Sequence, residues 1–453
     1  MSSQRYDGYR DSGVSWLGEI PEGWLIQRFD ANTSTHRNTI TPDRFEGQEV
    51  LHYSIPSVQE TGDGAVEDGI TIDSNKLVVS RAQLLVSKLN PHKQVVISAT
   101  PHSKLLTIAS TEFVPLIPTK SNGKYIQYVW QSTKCLHYLL ARCDSATRSH
   151  QRVTPNDISK MSWAWPSHAE QIEIAAFLEF ETRKIDSLIA KQQELIFLLN
   201  EKRQATVFHA VTCGLNPQAT LKDSGVTWLG RVPAYWKVGK AGFYISVLPG
   251  YAFSSTEFSL DESHVKLLRG INVGVGALKW DEVVYWRRYE DDGLNAFELQ
   301  AGDVVIGMDR PLISTGMRVA FVNHHDLPCL LLQRVAKVQP RTLIESRFLM
   351  RLLSSRAFEA HFSPETTGVS VPHISGEQIT SFIIPIPPLE EQRRICDFVE
   401  MKIGKLGALD RAAAKAIELL KERRSALITA AVTGQIDVRG VMSKFAMPEE
   451  LTA

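Results

Sequence analysis

Two stretches of this chain repeat their apolar positions with the period of a long α-helix. Residues 168–212 contain no proline or glycine and would extend about 67 Å as one helix, and a second stretch covers roughly 389–433. One stripe of each is apolar in steps of three, four and seven: Ile174, Leu178, Ile185, Leu188, Leu195 and Leu199, then Ile395, Val399, Ile403, Leu406, Leu409, Ala413, Ala416, Leu420, Leu427 and Ala431. Because neither stretch is hydrophobic all round, the pattern predicts that they pack on each other antiparallel, as a coiled-coil spacer. The alternative is that two amphipathic helices merely share one domain core.

Between these helices the pattern changes to short apolar runs separated by turn residues. Leu77–Val79, Leu84–Val86 and Val304–Ile306 are examples within two segments, 25–165 and 237–386, that show little resemblance to each other. Such runs are typical of short strands. The sequence therefore predicts an α+β protein, in which two α/β domains are joined by two long antiparallel helices.

A motif near the start of the chain returns in its second half. Residues 11–18, Asp-Ser-Gly-Val-Ser-Trp-Leu-Gly, match residues 223–230, Asp-Ser-Gly-Val-Thr-Trp-Leu-Gly, and Pro21 and Trp24 match Pro233 and Trp236. Both helical stretches also open on Glu-Gln, at 170–171 and 391–392. The chain is thus predicted to be an internal duplication with pseudo-twofold symmetry, in which one frame carries two divergent inserts.

The duplication divides the chain into five segments. They are a first domain at 1–166, a central long helix at 167–217, a second domain at 218–387, a C-terminal long helix at 388–437 and a tail at 438–453. Apolar residues off the helical stripes predict a helix face covered by another protein: Phe197, Leu198 and Leu419.

Composition narrows the class of protein. The 453 residues are 43% hydrophobic, no apolar run approaches the ~20 residues of a membrane span, and the first residues are too polar for a signal peptide. We expect a cytoplasmic protein without a membrane partner. The five cysteines are scattered singly, which predicts reduced thiols rather than a disulfide framework or a metal site.

Charge is balanced overall but not locally. The formal net charge is zero, yet residues 76–160 hold twelve Lys/Arg against three Asp/Glu, and residues 310–356 hold eight against two. Seven of the latter eight are arginine, whose planar fork fits phosphates and guanine edges. Each insert therefore has one basic stretch, which is compatible with DNA binding or with an ordinary solvated face.

The repeated motif, the Pro-x-Pro-Pro-Leu-x-Glu-Gln run at 385–392, the Leu-Leu-Gln-Arg run at 331–334 and the two long helices resemble the specificity subunits of type I restriction-modification systems. The resemblance extends from about residue 11 to 437. The first copy departs from the proline-rich run, since it has Trp-Pro-Ser-His-Ala-Glu-Gln at 165–171.

This resemblance implies a non-catalytic subunit whose two target recognition domains each read one half of a bipartite site in double-stranded DNA. The helical rod would fix the unread spacer and bind two modification subunits, which methylate adenine. Two restriction subunits would add ATP-dependent cleavage. S-adenosylmethionine, ATP and Mg are then expected on the partner subunits, and no cofactor or metal on this chain.

Loop residues of the two inserts are the candidates for DNA contact, because recognition residues commonly lie on loops of a rigid scaffold. Those of the first domain are Lys88, Asn90, His92, Lys93, Arg148, His150 and Arg152. Those of the second are Arg269, Asn272, Arg310, Ser314, Arg318, Gln333, Arg334, Ser370 and His373.

The sequence lacks two motifs that a self-sufficient DNA enzyme would need. No Asn/Asp-Pro-Pro-aromatic loop is present to hold a flipped adenine, and no Gly-x-x-x-x-Gly-Lys-Ser/Thr is present for ATP. These absences disfavour a self-sufficient DNA enzyme. A two-headed scaffold that binds proteins remains the alternative, with the balanced charge as its best support.

Overall fold

The computed structural model of the chain describes residues 5–145, 151–313, 315–366 and 373–442. The chain forms two compact units, one made of Met1–Gln193 with Ala414–Ala453 and the other of Glu194–Ala413. The boundaries between the units lie inside the two long helices. Each unit therefore combines one mixed domain with one part of each helix.

The first unit begins with short strands and ends in a long helix. Its strands are β1 (Tyr9–Asp11), β2 (Glu19–Pro21), β3 (Leu25–Arg28), β4 (Thr33–Ser34), β5 (Thr39–Ile40), β6 (Glu49–Tyr53), β7 (Ala65–Asp68), β8 (Lys76–Val78), β9 (Gln83–Ser87), β10 (Val96–Ala99), β11 (Leu106–Ser110), β12 (Phe113–Pro118), β13 (Asp144–Ser145), β14 (Gln151–Arg152) and β15 (Ser162–Trp165). Its helices are α1 (Ile55–Thr61), α2 (Gly123–Trp130), α3 (Thr133–Leu140), α4 (Pro155–Ser159) and α5 (His168–Cys213), which continues into the second unit.

Two sheets organise this unit, in the strand orders β5-β8-β11-β6-β7 and β10-β9-β12-β4. Strands β11 and β6 are parallel, whereas the other pairs in these sheets are antiparallel. A separate pair, β15 with β3, joins the two ends of the insert, with Trp165 opposite Leu25. The first and last strands of the insert are therefore neighbours in one sheet.

The second unit repeats this plan with fewer strands. Its strands are β16 (Leu221–Asp223), β17 (Arg231–Pro233), β18 (Lys237–Lys240), β19 (Ile245–Pro249), β20 (Val265–Leu268), β21 (Tyr285–Trp286), β22 (Val304–Gly307), β23 (Leu312–Ile313), β24 (Gly316–Met317), β25 (Val319–Phe321), β26 (Cys329–Leu331), β27 (Val335–Pro340) and β28 (Ile383–Ile386). Its helices are α6 (Ser346–Leu353), α7 (Arg356–Thr366), α8 (Gly376–Ser381) and α9 (Leu389–Val432), which continues into the first unit.

The sheets of the second unit have the orders β19-β27-β22-β25 and β21-β20-β26. One parallel pair, β20 with β26, again lies among antiparallel ones. The pair β18 with β28 closes this insert as β3 with β15 closes the first, with Lys237 opposite Ile386. The predicted α+β class and the internal duplication are therefore confirmed.

Both predicted long helices are present, and their directions follow from what each unit buries. In the first unit, Leu178 near the start of α5 shares a core with Ile428 near the end of α9, and Arg424 Nε donates to Asp186 Oδ1 at 2.9 Å. In the second unit, Val211 near the end of α5 shares a core with Ile395 near the start of α9. In each unit the beginning of one helix packs with the end of the other, so the helices are antiparallel, as predicted.

The apolar stripes are buried only in part. Ile174, Leu178, Ile185 and Leu199 are buried as predicted, but Leu188, Leu195 and Leu409 are 47%, 40% and 53% exposed. These three positions lie toward the middle of their helices, away from the domain cores that cover the helix ends. Phe197, Leu198 and Leu419 are also exposed, at 63%, 54% and 52%.

The repeated motif has the same structural role in both units. In the first, Trp24 Nε1 donates to Glu170 Oε1 at 3.1 Å, and in the second Trp236 Nε1 donates to Glu391 Oε2 at 3.0 Å. Both indoles are almost completely buried. The hydrogen bond ties the motif to the first turn of a long helix, because the carboxylate is the Glu of the Glu-Gln pair.

The glutamine of each pair completes this anchor. Gln171 accepts from the backbone of Asn122 at 2.9 Å and donates to the carbonyl of Pro166 at 3.0 Å. Gln392 accepts from the backbone of Glu345 at 2.9 Å and donates to the carbonyl of Pro387 at 2.8 Å. A buried amide with these partners is satisfied on both sides, so each insert is held at a fixed place on its helix.

A glycine ends each long helix, and it packs against the tryptophan of the other repeat. Gly214, just after α5, has φ +73° and lies against Trp236 in the second unit. Gly434, just after α9, has φ +71° and lies against Trp24 and Pro21 in the first. Glycine is favoured here because it adopts positive φ readily and leaves room for the ring.

Candidate nucleic-acid interface

The basic loop of the first domain, residues 88–95, connects β9 to β10 and is hydrogen-bonded to the short strand β14. The backbone of Lys88 donates to the carbonyl of Glu112 at 3.0 Å, and its own carbonyl accepts from Val153 at 3.0 Å. Asn90 donates through its backbone to Gln151 at 2.8 Å and accepts from the same residue through Oδ1 at 3.2 Å. Residues far apart in sequence therefore form one surface.

Asn90 holds the turn of this loop. Its φ is +49°, a left-handed conformation that asparagine tolerates better than most residues do. His92 and Lys93 follow the turn and are exposed, and Lys93 Nζ donates to Gln59 at 3.2 Å. Oδ1 of Asn90 is engaged within the loop, so this side chain helps to shape the surface.

One carboxylate lies between two of the predicted basic residues. Glu112 Oε1 accepts from Arg152 Nη2 at 3.2 Å, and Glu112 Oε2 lies 4.0 Å from Lys88 Nζ. Glu112 belongs to the turn between β11 and β12, which brings it to this loop. No motif in the sequence marks Glu112, although it is one of only three acids in the basic stretch 76–160.

The second domain builds an equivalent surface where β22 ends. The backbone of Met308 donates to the carbonyl of Arg334 at 2.8 Å and accepts from Ile374 at 2.8 Å, as Lys88 does with Glu112 and Val153. Asp309 pairs with His373 as Leu89 pairs with Arg152. The backbone thus makes Arg334 equivalent to Glu112, and His373 equivalent to Arg152.

Arg310 occupies the turn position equivalent to Asn90. Its φ is +44°, and Arg334 in the facing segment has φ +71°. A non-glycine residue at positive φ is uncommon, and such residues are concentrated at functional sites. Both side chains are exposed at the surface.

Asp309 is the centre of this second surface. Arg334 Nη1 donates to both of its carboxylate oxygens, at 3.0 and 2.8 Å, and His373 Nδ1 lies 2.7 Å from Oδ1. Burial alone would raise the pKa of Asp309, but the hydrogen bonds and charges of His373 and Arg334 outweigh it and lower the pKa below its usual range. The carboxylate is therefore an anion between two basic side chains. The sequence did not mark Asp309, although it directly precedes Arg310, because its partners lie 25 and 64 positions away.

A groove of about 680 Å³ opens beside these residues. Its polar lining includes Lys279, Asp309, Arg310, Arg318, Gln333 and Arg334. Guanidinium groups can bind phosphates or the edge of a guanine in two-pronged fashion, and an amide such as that of Gln333 can pair with adenine. The groove therefore presents the side chains that direct reading of base edges uses.

Three candidates of the second domain form hydrogen bonds inside the protein. Asn272 is 2% exposed, donates both amide hydrogens to the carbonyls of Lys279 and Glu282 at 2.9 and 3.0 Å, and accepts from the backbone of Arg269. Its assignment to DNA contact is corrected, because every hydrogen-bonding group of its side chain is used inside the protein.

Arg318 and Arg269 are partly committed in the same way. Arg318 donates to the carbonyls of Val273 and Asp309 at 2.9 and 3.1 Å, and its pKa is lowered mainly by burial. Arg269 donates to the carbonyl of Glu282 at 2.9 Å. Arg318 braces the wall of the groove, because Val273 and Asp309 line it, and Arg318 lines it as well.

Four further candidates lie outside the described residues: Arg148, His150, Ser314 and Ser370. Among the described residues, no group of three or more His, Cys, Asp or Glu side chains is placed to hold a metal ion. In the same ranges, neither the long helices nor the shorter ones contain a segment apolar enough to cross a bilayer.

Several known proteins are similar to this chain in sequence or in fold. The model of a family described as the type I restriction modification DNA specificity domain matches residues 291–411. The chain is 29% identical over 280 residues to the type I restriction enzyme MjaVIII specificity subunit of Methanocaldococcus jannaschii, which covers 61% of this chain and 62% of that one. It is 37% identical over 169 residues to the EcoAI specificity subunit of Escherichia coli, over 36% of this chain and 28% of that one. Both alignments thus span less than two thirds of the relative.

The fold is also that of a solved chain from work on the complex assembly and conformational transition of the type I R-M system. The TM-score is 0.69 at 18% identity, over 91% of this chain and 98% of that chain. This likeness concerns the fold alone, whereas the family model and the two relatives match the sequence. The resemblance is confirmed, and the chain is a homologue of the specificity subunits of type I restriction-modification systems.

Proposed function

We propose that this chain is the DNA specificity subunit of a type I restriction-modification complex and that each domain reads one half of a bipartite site. The observation that carries the proposal is the repeated surface around Arg152 and His373. Two inserts of different sequence place a basic side chain at the same backbone position, beside a loop with a left-handed turn. The similarity to named specificity subunits supports the same function.

The long helices would set the number of unread base pairs between the half-sites. Their length is fixed by hydrogen bonds along the helix, and each insert is anchored at the Glu-Gln pair. An insertion of two helical turns into both α5 and α9 is then expected to lengthen the tolerated spacer while leaving both half-sites unchanged. A change in half-site sequence would contradict this role.

The partners that the proposal requires are two modification subunits and two restriction subunits. The exposed apolar residues Phe197, Leu198 and Leu419 are our candidates for contact with them, because large exposed apolar side chains often mark protein interfaces. S-adenosylmethionine, ATP and Mg would bind to those subunits in the cytoplasm, and this chain would transfer no methyl group by itself.

The decisive experiment is long-read methylome sequencing of a host that expresses this chain with its modification subunit. We expect methylated adenine in a motif of two short blocks split by a fixed gap. A complex that assembles but neither methylates nor binds any duplex would favour the protein-binding scaffold. Methyl transfer by the isolated chain would contradict the division of labour proposed here.

A further inference from the structure

Each domain holds one carboxylate between two basic side chains on its candidate DNA surface. In the first, Glu112 lies between Lys88 and Arg152. In the second, Asp309 lies between Arg334 and His373. Acidic groups at these points oppose the phosphate attraction on which DNA affinity rests, so their presence needs an explanation.

Duplication alone does not explain the arrangement, because the acid occupies different positions in the two domains. The backbone pairing makes Arg334 the counterpart of Glu112, and Leu89 the counterpart of Asp309. The acid of each surface therefore stands at a backbone position that is not acidic in the other surface. The arrangement is nevertheless the same, with one carboxylate between two basic side chains.

Stability does not explain why the two exposed arginines are paired, although the carboxylates themselves are less exposed, at 23% for Glu112 and 28% for Asp309. The side chains of Arg152 and Arg334 are 60% and 61% exposed. Ion pairs at such exposed sites add little to folding, since solvent screens them and ordering long side chains has an entropic cost. A carboxylate at this place can fix the direction of a guanidinium group, because the N–H donors of that group lie in one rigid plane.

We propose that Glu112 and Asp309 are specificity-positioning residues, each of which orients two basic side chains toward base edges and weakens their binding to phosphate. The inference rests on the proposed function. A DNA phosphate must compete with the carboxylate for the charge of the basic side chain. A matched base instead binds the N–H donors of that side chain that the carboxylate does not occupy. Discrimination between partners is commonly obtained through such a repulsive element as well as through attraction.

Burial and charge support this assignment. Oε2 of Glu112 is buried and has no hydrogen-bond donor among the described residues, so the charge of Lys88 at 4.0 Å is its compensation. Asp309 is anionic over the whole neutral range, as its lowered pKa requires. The formal net charge of zero for the whole chain also leaves sequence-independent attraction weak outside the two basic stretches.

The test uses Glu112→Gln and Asp309→Asn in the assembled complex with modification subunits. Binding is measured by titration against a duplex with the methylated motif and against duplexes with one half-site scrambled, at several salt concentrations. We expect each variant to bind scrambled DNA about three to ten times more tightly and to steepen the slope of log K against log salt by about 1, because one more phosphate is contacted.

The two variants should act on different half-sites. Glu112→Gln should relax discrimination only in the half read by the first domain, and Asp309→Asn only in the other. Matched controls are Asp30→Asn and Glu390→Gln, which remove the carboxylate from exposed pairs with Arg28 and Arg393 outside these loops. These controls should leave both the preference and the salt slope unchanged.

An unchanged ratio of specific to scrambled binding in both variants would overturn the inference, as would equal loss in both half-sites. The double variant Glu112→Gln with Arg152→Ala gives a further test. Once the arginine is removed, Glu112→Gln should lose most of its strengthening of binding to scrambled DNA. Full additivity of the two changes would also contradict the inference. If the parent complex itself does not distinguish its motif from scrambled DNA, the proposed function fails instead.

Discussion

The indole of Trp236 donates its Nε1 hydrogen to Oε2 of Glu391 at 3.0 Å, across 155 positions of sequence. Tyr235 adds a second hydrogen bond to the same carboxylate, at 2.9 Å from Oε1. We expect Glu391→Ala to lower the free energy of unfolding by about 1–3 kcal/mol, because a buried indole donor is left unsatisfied. Denaturant unfolding measures this change. The neighbouring exposed Glu390→Ala should stay within about 0.5 kcal/mol of the parent, and equal losses in the two variants would contradict the anchor.

Gly434→Ala should be more damaging than the same change at Gly13. Both glycines have positive φ, +71° and +69°, but an added Cβ at Gly434 would lie 2.4 Å from Pro21, whereas nothing lies within 4 Å at Gly13. Gly13→Ala should cost about 1 kcal/mol through its backbone, and Gly434→Ala about 1–3 kcal/mol more through the clash. Thermal melts of both variants compare the two, and similar melting temperatures would show that the contact with Pro21 is unimportant.

Three of the five cysteines should resist thiol reagents in the native protein. Burial raises the pKa of the Cys329 and Cys396 thiols to about 12, and it also raises the pKa of Cys135. A thiol that is both buried and protonated is a poor nucleophile. Mass spectrometry after brief labelling should find these three unmodified, with Cys213, which is only partly buried, as the internal reference. Rapid native labelling of Cys396 would contradict its burial.

Acid should weaken the ion pair that joins α6 to α9. Arg347 donates to Glu400 at 3.0 and 2.7 Å, and this hydrogen bond is the main reason that the pKa of Glu400 is lowered from 4.5. A carboxylate whose folded pKa is depressed stabilises the fold above its unfolded pKa, and that contribution is lost as pH falls through the folded pKa.

The pair is partly exposed, so its contribution at neutral pH should be less than about 1 kcal/mol. Unfolding of the parent and of Glu400→Gln should therefore differ at pH 7 and converge as the pH falls below 4.5 and through the lowered folded pKa of Glu400. A difference that persisted unchanged at pH 3 would show that the lost stability is not electrostatic. Glu418→Gln, in an exposed pair within α9, is the control and should show no such pH dependence.

Substitution of the two equivalent basic residues should divide their effects between the half-sites. Arg152→Ala should reduce methylation of sites through the first domain only, and His373→Ala through the second only, each by about tenfold if one base contact is lost. The methylome of each variant reports which block of the motif becomes degenerate. Arg28→Ala, outside both loops, serves as the control, and loss of the whole motif in either test variant would indicate misfolding rather than altered reading.

Local periodicity was sufficient to predict much of this architecture. The long helices begin at His168 and Leu389, within one residue of the predicted starts, because apolar spacing and the preceding prolines act over a few residues. The repeated Trp and Glu-Gln positions also identified the duplicated part of the chain from sequence spacing alone. The partial exposure of Leu188 and Leu409 was not predicted, since a stripe does not say how far along the helix its partners extend.

By itself, then, the sequence determined the duplication, the two long helices and the approximate location of the basic loops, all of which depend on spacing along the chain. Only the tertiary structure decided that the side chain of Asn272 is hydrogen-bonded inside the protein. It also decided that Glu112 and Asp309 lie among the basic residues. Arg152 meets Glu112 across 40 positions, and His373 meets Asp309 across 64. No periodic pattern records such contacts, because the course of the strands between two distant residues determines whether their side chains meet.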